Sequence, residues 1–141
     1  SISVAEDPAA VRSEIATVRE RKPLPLRTVL NAEYTPATVE HVAFFEGCLS
    51  IPGYQAVVAR PRTIELRGAD LDGTPIAEEV TGWSARIVAH ETDHLGGILF
   101  LDKAEMRSLS THASVARLWN EPSTQRAAAE LGFTLPSGPL L

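Results

Sequence analysis

An α+β fold is predicted for this 141-residue chain by three observations. Short apolar runs that alternate with polar residues precede a single strongly patterned helix, turn signals separate those runs, and strands do not alternate regularly with crossover helices. The expected architecture is a set of small antiparallel β-sheets wrapped around that central helix, with further helices toward the C-terminus. Ile2 and Val4 alternate and predict a strand over 1–5. Asp7-Pro8 supplies a cap and a first-turn proline, and Val11, Ile15 and Val18 fall at i, i+4 and i+7, so an amphipathic helix is predicted over 7–21, closed by Pro23 and Pro25. Strands are predicted over 26–31 and 57–67, the latter from Ile64 and Leu66 alternating with polar neighbours. Asp72-Gly73 marks a hairpin whose second strand spans 74–80 and feeds the central helix. That helix is bounded by Gly82, with Thr81 as its expected cap, and by a left-handed stop at Gly96-Gly97. Residues 104–120 and 122–131 are predicted helical, the second ended by Gly132, and 136–141 form an irregular tail.

Length fits one domain over 1–141, with enough residues to bury a core. An apolar fraction of 44% and a charged fraction of 22% are those of an ordinary globular chain, not a disordered one. Net charge is −5 and no basic stripe carries interleaved aromatics, which argues against direct nucleic-acid binding. No apolar run is long enough to span a bilayer and no leader is evident, so no membrane partner is expected and a cytoplasmic location is. Cys48 is the single cysteine, which excludes an internal disulfide and directs attention to other roles for its thiol.

The segment His90-Glu91-Thr92-Asp93-His94 points to metal chemistry. In a helix, residues i and i+4 stack on one face, so two imidazoles can share an ion while the carboxylate beside the first works on a bound water. The composition makes such a pattern a chance event in about one chain in a hundred. Trp83, Ile87, His90 and His94 form one predicted inward stripe, with Ser84, Val88, Glu91 and Leu95 beside it. Two imidazoles need a third ligand, and a catalytic site leaves a fourth position for water. His41, His112, Asp93 and Asp102 are available, but Cys48 is preferred: a thiolate brings charge and softness, and Glu46-Gly47-Cys48-Leu49-Ser50-Ile51-Pro52-Gly53 reads as a tight strand or loop whose backbone can approach closely. A zinc endopeptidase of the HExxH type is disfavoured, because no third histidine or suitable glutamate follows His94 in that pattern. Glu46 is expected to pair with Arg60, Arg62 or Arg86.

Together, Glu46-Gly47-Cys48-Leu49-Ser50 and His90-Glu91-Thr92-Asp93-His94-Leu95 resemble the second and third signature motifs of peptide deformylases, over a region running from about Ser1 to Asp102. The resemblance implies that Cys48, His90 and His94 bind the metal, Fe(II) in the cell with zinc or nickel in purified protein. Glu91 is then the general acid/base, the Leu49 N–H an oxyanion donor, and Gly47 and Ile87 substrate-binding residues, with Trp83 a further pocket candidate. The implied reaction removes formate from N-formylmethionyl peptides of nascent proteins, which puts ribosome-associated chains among the partners. A homologue that keeps the metal and binds peptide N-termini without turnover is the alternative. The family's glycine-rich first motif, ending in glutamine, is expected upstream of Ser1, since Gln55 and Gln125 are in no such context. Ala89 stands where the family has glutamine, and Ala32 where it has proline.

Overall fold

Alternating apolar residues build the first of two sheets. The computed structural model describes residues 1–136 and divides into two compact units, one of Ser1–Glu40 with Pro61–Ile98 and the other of His41–Arg60 with the chain from Leu99 onward. In the first unit, strands β1 (Ile2–Glu6), β2 (Leu24–Pro36), β5 (Thr63–Ala69) and β6 (Pro75–Thr81) lie in the order β1-β2-β5-β6. All three pairings are antiparallel, with Ile2 opposite Val29, Tyr34 opposite Leu66 and Leu66 opposite Glu78. The Asp72-Gly73 turn closes the β5–β6 hairpin as expected, and the Asp70 carboxylate accepts the Asp72 and Thr74 N–H groups. One face of the sheet buries Ile2, Val4, Val29, Ala32, Ile64 and Leu66 in a cluster with Ala85 and Val88 of helix α2 (Trp83–Leu95).

The second unit holds β3 (His41–Cys48), β4 (Ile51–Pro61) and β7 (Ala104–Thr111) in the order β3-β4-β7, with α3 (His112–Leu118) and α4 (Gln125–Leu131). Phe45, Val57, Trp119 and Ala127 form one core cluster, and Ala56, Val58 and Phe100 a second against which Cys48 packs. The Thr124 hydroxyl donates to the Ala43 carbonyl at 2.8 Å, tying the α3–α4 connection to β3.

Several elements differ from the sequence expectation. The predicted helix over 7–21 is broken: Asp7 caps a single 3₁₀ turn, Pro8–Val11, after which the Ser13 hydroxyl accepts the Ala16 N–H and starts a separate helix α1 (Glu14–Val18). The predicted strand over 57–67 is two strands that belong to different sheets, separated at Arg62. Residues 104–111, expected to be helical, form β7 because β4 offers a partner, with Val58 opposite Ala104. Where that ladder bulges, the fully buried Ser108 hydroxyl accepts the Val57 N–H at 2.7 Å and donates to the Glu105 carbonyl, which satisfies both backbone groups. Helix α4 is shorter than predicted and ends at Gly132, which has the expected left-handed conformation. Of the tail predicted irregular over 136–141, residues 137–141 lie outside the described residues. Among the described residues no helix is long and apolar enough to cross a membrane.

The start of α2 is fixed by backbone rather than by a side-chain cap. Gly82, not Thr81, is the capping residue, with φ +74°. Its N–H donates to the Arg62 carbonyl at 2.9 Å, and the Trp83 N–H reaches the Glu20 carbonyl at 3.4 Å. Glu20 itself takes a left-handed φ of +53°, and its carboxylate accepts the Arg62 Nε and Nη2 protons at 3.0 and 2.6 Å. Those hydrogen bonds hold the Glu20 carboxyl below its ordinary pKa, so this tie is present above the usual carboxylate range and is lost as pH falls through the depressed value. A Cβ on Gly82 would lie 2.6 Å from the Glu20 Cβ and 2.9 Å from its carbonyl oxygen, in a conformation that side-chain-bearing residues avoid. Gly82→Ala is therefore expected to destabilise the protein by about 2–4 kcal/mol, measured by urea denaturation.

Candidate metal centre

The i, i+4 spacing on α2 brings His90 and His94 edge to face, with ring centroids 4.8 Å apart and planes at 89°. His90 is buried, while Glu91 and His94 are half-buried. The inward stripe of the helix is Ala85, Arg86, Val88, Ala89, His90 and Asp93, which corrects the predicted stripe. Trp83, Ile87 and His94 flank it half-buried, and Leu95 is exposed. Small alanines at 85 and 89 let the helix sit close to its surroundings, and this rotation carries His90 inward.

Asp93 has a second role that the motif does not advertise. The Tyr34 hydroxyl on β2 donates to Asp93 Oδ1 at 2.8 Å, and the Asp93 carbonyl accepts the Gly96 and Ile98 N–H groups. Its carboxylate thereby anchors the ligand-bearing turn to the sheet. Gly97, with φ +73°, is the left-handed residue that ends the helix, while Gly96 keeps φ −92°.

Trp83 is surrounded by cations. The guanidinium carbons of Arg19, Arg21 and Arg86 lie 5.7, 4.9 and 5.5 Å from its ring, which makes it a platform for cations at the helix start. Burial, and then the neighbouring charge of Arg21, lower the Arg19 pKa. Ile87 packs against the sheet-and-helix core of the first unit.

In the second unit, Cys48 ends β3, and Leu49 and Ser50 form the exposed link to β4, with the Leu49 side chain fully exposed. Of the three arginines considered for Glu46, Arg60 is the partner found. Its Nε and Nη2 donate to the two carboxylate oxygens at 2.9 and 2.7 Å, with both side chains buried. This fork-to-fork geometry fixes the strand two residues before the thiol, and the pair's partner could not be chosen from sequence. A Cβ on Gly47 would meet Gln55 Cγ at 3.3 Å, the Tyr54 carbonyl at 3.4 Å and His112 Cε1 at 3.5 Å.

The first unit thus offers two imidazoles, His90 and His94, and the second the Cys48 thiol, the three donors that the motifs predict for a metal ion. One thiolate and two neutral imidazoles suit a tetrahedral ion with one open position, so the donor chemistry fits. The other sequence candidates are used differently: Asp102 accepts the Leu99 N–H at 2.8 Å, His41 opens β3 and His112 opens α3. Two substitutions probe the anchors. Arg60→Ala leaves a buried carboxylate uncompensated and is expected to cost about 3–5 kcal/mol. Tyr34→Phe, which removes one hydrogen bond to a buried carboxylate, is expected to cost about 1–3 kcal/mol, both read from urea denaturation midpoints.

Residues 7–110 match the sequence model of the polypeptide deformylase family. Peptide deformylase 3 of Streptomyces avermitilis is 54% identical over 135 residues, covering 96% of this chain and 60% of that protein. The chain therefore spans about 60% of the length of this relative. A class I type b peptide deformylase from Acinetobacter baumannii, bound to K1U, superimposes with a TM-score of 0.60 at 31% identity, covering 72% of this chain and 59% of that one. A structure of the A. baumannii enzyme bound to Met-Ala-Ser gives a TM-score of 0.56 at 33% identity, with 58% and 52% coverage.

Proposed function

Because this chain belongs to the polypeptide deformylase family, we propose that it carries the ligand helix and thiolate strand of a metallohydrolase that removes the formyl group from N-formylmethionyl peptides of nascent proteins. The observation that carries this reading is the α2 segment, where two imidazoles stack one turn apart with Glu91 between them. A relative matched over 96% of the chain and bearing the name of a peptide deformylase favours a catalytic role over a non-catalytic, peptide-binding homologue. The A. baumannii structure with Met-Ala-Ser supports a peptide product for the same reaction class. Residues 1–141 would then belong to one deformylase domain, with the glycine-rich motif carried by other residues of the full-length protein. A cytoplasmic location, on chains emerging from the ribosome, follows from the substrate.

Cys48, His90 and His94 are the proposed ligands and Fe(II) the proposed resident ion, with zinc or nickel expected in purified protein. A thiolate donor tempers the Lewis acidity of zinc and suits the softer end of the first-row metals. When bound, the ion supplies Lewis acidity and lowers the pKa of a coordinated water from about 15.7 to about 7. Glu91, half-buried beside His90, takes the proton of the attacking water and delivers it to the leaving amine. The Leu49 N–H, next along the chain from the thiolate, donates to the developing oxyanion, a type of interaction whose loss costs on the order of 10² to 10³ in rate. Gly47 and Ile87 are the proposed substrate contacts, Gly47 through its backbone and Ile87 through its half-buried side chain. The embedded Asp93–Tyr34 and Glu46–Arg60 contacts keep the ligand segments from relaxing around the ion.

Formate release from formyl-Met-Ala, measured anaerobically with the Fe(II)-loaded full-length protein, tests the reading. Turnover is expected, and its absence under those conditions overturns it. Glu91→Gln should retain metal by elemental analysis while losing about 10²-fold or more in kcat. Retention of full activity would dismiss the role given to Glu91.

A further inference from the structure

Residues past 110 lie beyond the stretch matched by the family model, yet the sheet of the second unit returns them to the thiolate strand. β7 pairs with β4 so that Gln55 faces Ser110 and Tyr54 faces Thr111. At that end of the ladder the chain turns into α3: Thr111 caps the helix by accepting the Ser114 N–H at 3.1 Å, and His112 is its first residue. The His112 ring is thereby laid over Gly47, its Cε1 3.5 Å from where a Cβ of that glycine would stand, beside Gln55 Cγ at 3.3 Å. Gly47 directly precedes Cys48.

The placement is held from behind. Trp119, just after α3, is buried with Phe45, Val57 and Ala127, the Arg126 guanidinium stacks on its ring at 4.6 Å, and Thr124 bonds to the Ala43 carbonyl. His112 itself is exposed, and among the described residues its ring has no hydrogen-bond partner. A donor and acceptor is thus held by a braced helix, open to solvent, over the glycine that precedes a proposed metal ligand.

Building on the deformylase reading, we infer that His112 is a specificity-determining residue that contacts the peptide downstream of its N-terminal methionine. A substrate whose formyl carbon reacts at an ion held by Cys48 must run out past the flanking backbone. Gly47, lacking a side chain, leaves that path bounded by Gln55 and His112. The imidazole can donate to or accept from the main-chain amide of the third peptide residue, and substrates that stop at methionine plus one residue do not extend to it.

The test compares the full-length protein with its His112→Ala and His112→Gln variants on formyl-Met-Ala and formyl-Met-Ala-Ser. His112→Ala is expected to lower kcat/KM for the tripeptide about fivefold to tenfold, through KM, the size of one net hydrogen bond. The dipeptide should change less than about twofold, a negligible free-energy difference. Metal content and the urea midpoint should stay unchanged, and His112→Gln should recover part of the loss. Equal losses on both substrates, or no loss on either, overturn the inference while leaving the deformylase reading intact. If wild type turns over neither peptide, that reading fails, and calorimetric binding of Met-Ala-Ser decides the role of His112. Weaker binding by His112→Ala supports a peptide contact, whereas equal or undetectable binding overturns it.

Discussion

The constraint on which the ligand helix depends is the burial of a narrow, small-residue stripe. Ala85 and Val88 fit against Ile2, Val4, Val29, Ile64 and Leu66, several of which are fully buried. Each large aliphatic side chain removed from water in this way contributes about 1.5–3 kcal/mol, so the seating of α2 outweighs any single polar contact along it. The alanines matter by their size, because a helix that lies low on a sheet has its rotation fixed. With rotation fixed, the four-residue offsets from Arg86 and Ala89 turn His90 and Asp93 inward. His90 is buried, Glu91 is half-open, and His94 follows one turn later.

The two halves of the donor set are disciplined by different physics. The imidazoles inherit their spacing from helical geometry, and the Tyr34–Asp93 hydrogen bond pins the turn between them to β2. The thiol has no such periodicity to rely on. Its strand is held by a buried, bidentate ion pair, and a buried pair is stabilising only while both members are present. Specification of a unique backbone path, more than net stability, is what the Glu46–Arg60 pair contributes. The sequence cue was Glu46 within a tight, glycine-flanked strand or loop, but three arginines were eligible and only the packed strands chose among them.

What could be read from sequence depended on how local each determinant was. The α2 segment was legible because its glycines bound it, its apolar residues repeat at helical spacing and its two histidines reinforce the pattern. The β5–β6 hairpin was legible because Asp72-Gly73 carries its own turn. Residues 104–111 were misread because Ala104, Met106 and Leu109 keep neither period, and the decision lay with β4, some fifty positions earlier in the chain. The helix over 7–21 failed for the opposite reason. Ser13 is a strong local cap inside a plausible apolar repeat, and the cap won. The role of Tyr34 was invisible because nothing in its neighbourhood of sequence hints at Asp93.

The chain has two tryptophans, and each compact unit contains one. Trp83 sits half-buried under three guanidinium groups at the head of α2, whereas Trp119 is buried in the other unit with a single arginine across its face. Indole emission responds to solvent and to nearby charge, so nature has installed two optical probes in electrostatically distinct settings. Replacing either ring with phenylalanine silences one channel and leaves the other as a private signal from its own unit. Whether the thiolate strand and the histidine helix melt together or in sequence thus becomes a question of superimposable or separated fluorescence transitions.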